Sequence, residues 1–307
     1  MGKYGEYEEE QIQLNKEDKK MLWDVSFGLQ KADYLQPSSY MLSLAEDHIE
    51  GKLTLNEIEN LLYRHYEEET PEQKKHRLKE ADLVSTRINR LLGEGGFSLN
   101  PGGLKAIHRF LFKDIYDHAG TFRDVNLTKG EPILGMQTVK YANYFMIEDT
   151  YAYDFAEEKK TRYGNMSKKD VVEHIAKFTS SIWQVHPFKE GNTRTTAVFI
   201  ERYLNSLGFG VNNEPFKDHS LYFRNALVRS NYADYSKGID STDVFLHRFF
   251  ENILFDGKNI LKNRDMVVKE LLSLDDRIAF ERKLLEEEHS KNGLSHEENV
   301  RGSEKER

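Results

Sequence analysis

The sequence contains no cysteine, which excludes disulfides, thiolate zinc sites and thiol nucleophiles. No segment approaches the roughly 18 consecutive apolar residues that a membrane-spanning helix needs. The opening residues also lack the apolar centre of a secretory signal. We therefore expect a cytoplasmic protein, with secretion by a route that needs no signal as the alternative. The formal net charge of −8 argues against nucleic-acid binding through the bulk surface, because phosphate contacts require clustered Lys and Arg.

Only 6 prolines occur in 307 residues, and apolar side chains recur at helical spacing along most of the chain. Both features predict a mostly helical protein. We interpret residues 1–66 as a module of three helices and residues 67–80 as a charged linker. Residues 81–255 form the main domain in this interpretation. Residues 256–307 are predicted to be a helical extension that ends in a disordered, highly charged tail.

Local signals mark where individual elements begin and change. Asn15 is a helix cap, and two pairs, Thr54 with Glu57 and Ser167 with Asp170, have the pattern of a capping box. The segment from about residue 126 to 141 differs in kind, because β-branched and apolar residues flank two Gly-containing turns. This pattern predicts a short β-hairpin, or flap.

The segment His186–Arg194 has the sequence HPFKEGNTR and lies between two strongly amphipathic helices. His186 is suited to act as a general base near neutral pH. Glu190 is a carboxylate ligand of the kind that Mg²⁺ uses together with phosphate oxygens. Gly191 lets the backbone approach a ligand, and Asn192 offers donors at a helix N-terminus that attracts anions. Arg194 adds a planar fork for phosphate oxygens, so the loop predicts chemistry on a phosphate.

The loop resembles the Fic signature HPFx[D/E]GN[G/K]R at every defined position except Thr193, where Gly or Lys is usual. The resemblance covers roughly residues 81–250 and includes HAGTFRDVN before the flap and LYFRNALVRSNYAD after the loop. It implies an all-α Fic fold, a helical bundle with a short β-hairpin flap. It also implies a nucleotide-binding role for the loop residues Lys189, Gly191, Asn192, Thr193 and Arg194.

The reaction implied by the resemblance is transfer of AMP from ATP to a Ser, Thr or Tyr hydroxyl of a target protein, and of the chain itself. His186 would take the proton of the attacking hydroxyl, Glu190 would hold Mg²⁺ on the phosphates, and Arg194 would bind the outer phosphates. The flap near residues 126–141 would dock the main chain of the target. A homodimer is left open, and no nucleic acid or membrane partner is implied.

Two other functions are alternatives to protein adenylylation. An enzyme of the same fold could use another nucleotide or a phosphocholine donor. A catalytically weak Fic-fold binding module is the alternative from a different class. For the nucleoside, the helix after the loop offers Asn225 and Tyr232 on one face, and ordinary helix packing explains their spacing equally well.

Two departures from the family pattern concern regulation. Many Fic proteins carry a second Arg three residues after the first, and here that position is Ala197. Residues 1–66 resemble the small antitoxin modules that inhibit Fic enzymes, in which an S/T-x-x-x-E-G motif precedes an L-x-P segment. Asp33 falls at the Glu position and is one methylene shorter. We interpret the module as an altered antitoxin domain with Asp33 as its regulatory acid; a purely structural helical bundle is the alternative.

Overall fold

The computed structural model describes residues 14–68, 72–280 and 282. Its α-helices are α1 (Lys16–Gln30), α2 (Ser39–Ile49), α3 (Leu55–Glu68), α4 (Glu72–Gly93), α5 (Pro101–Phe112), α6 (Ile147–Glu158), α7 (Lys168–Val185), α8 (Asn192–Ser206), α9 (Glu214–Ser230) and α10 (Val244–Phe255). The prediction of an all-α protein is confirmed. Within these ranges, none of the helices is both long and apolar enough to cross a bilayer.

The caps anticipated from the sequence are present. The Asn15 side chain accepts a hydrogen bond from a backbone N–H in the first turn of α1. Thr54 and Glu57 bond to each other's backbone N–H groups before α3, and Ser167 and Asp170 do the same before α7. These side chains satisfy N–H groups that have no partner within the helix, which fixes where each helix begins.

The core of the molecule is built around α7 and α8. Every residue of α8 from Asn192 to Glu201 is buried, because α5, α7 and neighbouring helices enclose it. The loop between α7 and α8 begins at His186 and carries Phe188, which is fully buried. The predicted functional loop is therefore anchored by buried residues, although Lys189 and Glu190 within it are exposed.

Helix α1 contributes to two hydrophobic clusters. Val25 and Leu29 belong to the main core, whereas Trp23 packs in a smaller cluster with residues of α2, α3 and α4. At Gly28 the backbones of α1 and α9 come so close that a Cβ atom would lie 2.3 Å from the carbonyl oxygen of Lys217. The three helices predicted for residues 1–66 are present from residue 14 onward, and their identity as an antitoxin-like module stays a prediction. Residues 72–80 of the predicted linker lie in α4.

The predicted β-hairpin at residues 126–141 is not formed as paired strands. The segment contains a single antiparallel bridge, between Glu131 and Gln137, that encloses a 3₁₀ turn at Pro132–Leu134. Pro132 has no N–H to donate, and the left-handed backbone of Gly135 and Met136 (φ 55° and 66°) turns the chain out of an extended conformation. The flap is therefore a loop with one bridge.

After α10 the chain returns to the flap. Residues 256–280 contain 3₁₀ turns at Asn263–Met266 and Lys269–Leu271 and a helical stretch at 274–280. The Val268 N–H donates to the Ile133 carbonyl in the flap at 2.8 Å. The disordered tail predicted within residues 256–307 lies outside the described residues.

Candidate active site

His186 ends α7 in a left-handed conformation, with φ 49° and ψ 60°. Arg123, from the HAGTFRDVN segment, holds this bend. Its guanidinium donates to the carbonyls of His186 at 2.7 Å and Val185 at 3.2 Å, and its backbone N–H donates to the Pro187 carbonyl at 2.7 Å. A buried Arg thus satisfies the carbonyls that the end of α7 leaves without helical partners.

Asn192 braces the loop from within. Its amide oxygen accepts from the Phe188 N–H at 2.9 Å, and its amide nitrogen donates to the Phe188 carbonyl at 2.8 Å. Gly191 has φ +76°, and a Cβ there would lie 2.4 Å from the Phe112 ring. The Thr193 hydroxyl accepts from the Trp183 indole at 3.1 Å, which ties α8 to α7. The side chains of Asn192 and Thr193 therefore position the loop, and no side chain caps the start of α8, a kind of terminus that attracts anions.

A second histidine, which the sequence pattern did not single out, supports the loop from α5. His108 is fully buried and stacks on the Phe188 ring with centroids 3.7 Å apart. Its Nδ1 accepts from the Gly120 N–H at 2.8 Å, and its Nε2 lies 3.0 Å from the Glu190 carbonyl oxygen. Burial lowers the pKa of His108 to about 3, so the ring is neutral. The neutral tautomer with a proton on Nε2 satisfies both contacts at once.

The predicted base is enclosed. His186 is 6% exposed, and the Tyr141 ring stacks on it with centroids 3.9 Å apart. Its Nδ1 atom has no hydrogen-bond partner among the described residues. Burial, followed by the charges of Lys129 and Arg123, lowers the pKa of His186 to about 3. The imidazole is therefore neutral at physiological pH and retains an unused lone pair, as a proton acceptor requires.

Next to the loop is a cavity of about 420 Å³ with an unusual density of charge. Its lining includes cationic side chains from four parts of the chain, namely Arg77, Lys129, Arg194 and Arg224. The carboxylates of Asp33, Glu80 and Glu190 line it as well. Cations concentrated in a partly enclosed space favour a multiply charged anion such as a polyphosphate.

Arg194 is the most heavily engaged cation of this cavity. Its Nη1 donates to the Gln30 amide oxygen at 3.0 Å, and its Nη2 to Glu80 at 2.6 Å. Its Nε lies 2.7 Å from Asp33 Oδ2. Burial disfavours charge on both Asp33 and Arg194, but their mutual attraction outweighs it, lowering the pKa of Asp33 and, with the help of Glu80, raising that of Arg194. The contact brings residue 33 to the loop arginine itself, and Ala197 stays fully buried behind it.

The remaining predicted site residues lie elsewhere. Lys189 is exposed and pairs with Asp124 at 3.1 Å. Asn225 donates to the Asn263 side chain at 2.8 Å, and Tyr232 is 8% exposed. None of these three side chains lines the charged cavity. The structure thus brings Asp33, Glu190 and Arg194 together in the lining of the cavity, which includes neither His186 nor the two nucleoside candidates.

Part of this sequence, including the loop, is similar to sequences of known proteins. Residues 98–204 match the model of the Fic/DOC family. A protein adenylyltransferase named VbhT from Bartonella schoenbuchensis is 25% identical over 170 residues, which are 55% of this chain and 32% of that protein. A probable protein adenylyltransferase, y4lH of Sinorhizobium fredii, is 26% identical over 152 residues, which are 50% of this chain and 74% of that protein. The chain thus spans about a third of the length of the Bartonella relative.

Solved structures include similar chains. The N-terminal Fic domain of a Bep effector from Bartonella sp. AR 15-3 superposes with a TM-score of 0.49 at 18% identity, covering 60% of this chain and 84% of that one. BepC of Bartonella tribocorum with bound AMPPNP gives a TM-score of 0.47 at 17% identity, covering 59% and 87%. Because the family match contains the whole loop from His186 to Arg194 and the α5 and Arg123 contacts that hold it, residues 98–204 of this chain form a Fic/DOC family domain.

Proposed function

We propose that this chain is a protein adenylyltransferase, which transfers AMP from ATP to a Ser, Thr or Tyr hydroxyl of a target protein and of the chain itself. The observation that carries the proposal is the position of a neutral, buried His186 on the same rigid loop as Arg194, which faces a cavity lined by cations. The names of the related proteins support the same activity. Proton acceptor and phosphate clamp are separated by seven residues whose backbone is held by Arg123, His108 and Asn192.

In the proposed reaction the target oxygen attacks the α-phosphorus of ATP. A bond forms between that oxygen and phosphorus, and the bond from the α-phosphorus to the bridging oxygen of the β-phosphate breaks, so that pyrophosphate leaves. His186 takes the proton of the hydroxyl. The N-terminal N–H groups of α8, including those of Gly191 and Asn192, stabilise the charge on the α-phosphate, and Arg194 binds the outer phosphates.

Glu190 is suited to serve as the protein ligand of Mg²⁺. The described residues contain no cluster of three or more His, Asp or Glu groups that could hold a metal alone. Mg²⁺ in nucleotide sites typically uses only one or two carboxylates and takes its other ligands from phosphate and water. Glu190 is exposed and lines the cavity beside Arg194, so it fits that arrangement. When bound, Mg²⁺ would neutralise charge on the triphosphate.

In this proposal Asp33 restrains the enzyme. Its carboxylate lies against Nε of Arg194, and Gln30 and Glu80 engage the other two guanidinium nitrogens. A nucleotide must displace that carboxylate before Arg194 can bind its phosphates. The target would dock at the flap near residues 126–141, where Met136 is 66% exposed. Nucleoside contacts by Asn225 and Tyr232, a contribution of Lys189, and a homodimer stay predictions.

The test uses ATP labelled at the α-phosphate, incubated with Mg²⁺, a cell lysate and the full chain, or the chain carrying Asp33→Asn. We expect transfer of label that is lost in His186→Ala and retained in His247→Ala, a histidine of α10 outside the loop. ATP labelled at the γ-phosphate should leave no label on protein. No transfer by either chain would refute the proposal, and label from the γ-phosphate would replace adenylylation with phosphorylation. Substitution of UTP, GTP or a phosphocholine donor for ATP tests the alternative donors.

A further inference from the structure

The charged cavity contains a second buried guanidinium, that of Arg224 in α9. We propose that Arg224 binds the terminal phosphate of the nucleotide, as a second guanidinium beside that of Arg194 in the lining of the same cavity. The inference rests on the proposed function, because it assigns a residue to the same nucleotide site. It extends that site from the loop between α7 and α8 to a helix that begins 20 residues beyond Arg194.

The loop alone has too few cations for a triphosphate. Arg194 is one guanidinium against several phosphate charges, and two of its nitrogens already hydrogen-bond to Gln30 and Glu80. Ala197, one helical turn further along α8, is fully buried and uncharged. A terminal phosphate without a cationic partner is costly in a partly enclosed cavity, so another of the cations that line it should pair with that phosphate.

Arg224 has the geometry of such a cation. Arg224 is only 3% exposed, yet it lines the same cavity as Arg194, Lys129 and Glu190. Its Nη2 pairs with Glu131 at 2.6 Å, whereas its Nη1 has no hydrogen-bond partner among the described residues. Buried N–H donors in folded proteins nearly always have a partner, so an unpaired one on a residue that lines a cavity points to a ligand as the missing partner.

The immediate surroundings of Arg224 hold it in place. Glu131 belongs to the flap and is 1% exposed, so the ion pair fixes Nη2 of the guanidinium and leaves Nη1 unpaired among the described residues. The Tyr34 ring lies 5.7 Å from its Cζ atom. A planar guanidinium fixed on one edge loses little conformational freedom when its other edge binds a phosphate.

The carboxylate of Asp33 already interacts electrostatically with the guanidinium groups of Arg194 and Arg224. Arg194 pairs with it at 2.7 Å, and Arg224 and Lys129 are among the charges that lower the pKa of Asp33. An anion is therefore held in the cavity by the set of cations that a triphosphate would meet. Once Asp33 is displaced, the phosphates would lie in the cavity that Arg194 and Arg224 both line.

The test compares nucleotides that differ only in the number of phosphates. Arg224→Gln is made together with Glu131→Gln, because removing the Arg alone would leave a buried carboxylate unpaired. Glu131→Gln alone and Arg162→Gln, at an exposed arginine outside the cavity, are the controls. Calorimetry measures the affinities for ATP, ADP and AMP in the full chain and in the full chain carrying Asp33→Asn.

In the double variant the ratio of ATP affinity to ADP affinity should fall about tenfold or more, because a hydrogen bond between two charged groups is lost. AMP affinity should change less than about twofold, because AMP lacks the outer phosphates. An unchanged ratio of ATP to ADP affinity, or an equal loss for all three nucleotides, would overturn the inference and leave Arg224 a structural partner of Glu131. The assay needs no transfer step: a chain that discriminates ATP from ADP through Arg224 but transfers no label refutes the proposed function only. If neither chain binds any nucleotide, both proposals fail.

Discussion

The ion pair between Asp33 and Arg194 allows a direct test of restraint in this chain. Asp33→Asn keeps the size and shape of the side chain and removes the negative charge that lies 2.7 Å from Arg194 Nε. Arg194 retains its bond to Glu80 at 2.6 Å, so the guanidinium stays oriented while one of its competitors for phosphate is neutralised. We expect the variant to bind ATP more tightly and to modify itself faster.

The size of the effect follows from the coupling between the two sites. The two side chains are largely buried, 17% and 2% exposed, so the attraction is screened little by water. A coupling of about 1–3 kcal/mol between an inhibitory contact and a ligand corresponds to roughly a 5- to 150-fold change in ATP affinity. Loss of the pair should also lower the free energy of unfolding, because Arg194 keeps only part of its charge compensation.

Calorimetric titration with ATP and the initial rate of label incorporation measure the two effects. Asp24→Asn is the matched control, because Asp24 also lies in α1 and also pairs with a cation, Lys217 at 3.2 Å, far from the loop. The reasoning would be refuted if the folded Asp33→Asn variant bound ATP with an affinity within about twofold of that of the parent chain. In that case the contact would be structural and Asp33 would have no regulatory role.

Three further predictions concern stability. Gly191→Ala should abolish label transfer and lower the free energy of unfolding by about 2–4 kcal/mol, because it combines a positive φ with a clash against Phe112. Gly164→Ala is the control, because a Cβ atom there would meet no other atom within 4 Å. Equal denaturation midpoints for the two variants would contradict the prediction. Burial raises the pKa of Glu201 to about 8, so the native state loses stability as pH rises from about 4.5 to 8. Glu201→Gln should then stabilise the chain by about 3 kcal/mol at pH 7 and less at pH 5, as urea titrations would show. The lowered pKa of His108, about 3, has the opposite effect, because the native state then loses stability as pH falls. At pH 5, protonation of His108 in the unfolded chain lowers the free energy of unfolding by about 2 kcal/mol, and His108→Gln should remove that loss.

Much of the fold could be predicted from sequence, because its signals are local. The low proline content, the helical spacing of apolar residues and the caps at Asn15, Thr54 and Ser167 identified helices that the structure contains. The loop at residues 186–194 was found by its own chemistry and by the family resemblance. These signals act within a few residues of one another, so a single sequence is sufficient to detect them.

What could not be predicted depends on contacts between distant parts of the chain. His108 and Arg224 lie in helices where their sequence context indicates only an amphipathic face, and their importance follows from neighbours 82 and 93 residues away. Glu80 falls in a charged segment that the pattern assigned to a linker. The flap failed as a β-hairpin because Pro132 and the left-handed residues at 135 and 136 override the β propensity of their neighbours. Hydrophobic periodicity defines a buried face without specifying what that face meets.

The sharing of α1 between two hydrophobic clusters bears on how dilution would affect the enzyme. An inhibitor carried on a separate chain dissociates when the protein is diluted, and its effect depends on total concentration. Here the segment bearing Asp33 follows directly on a helix whose Val25 and Leu29 are part of the main core and whose Gly28 touches the backbone of α9. If Asp33 restrains the chain as proposed, it is therefore present at a fixed effective concentration, whatever the abundance of the protein in a cell. Relief must come from a change within the short 3₁₀ turn Lys31–Asp33, or from a ligand that competes with it, and the rate of self-modification per molecule should be the same at nanomolar and micromolar protein.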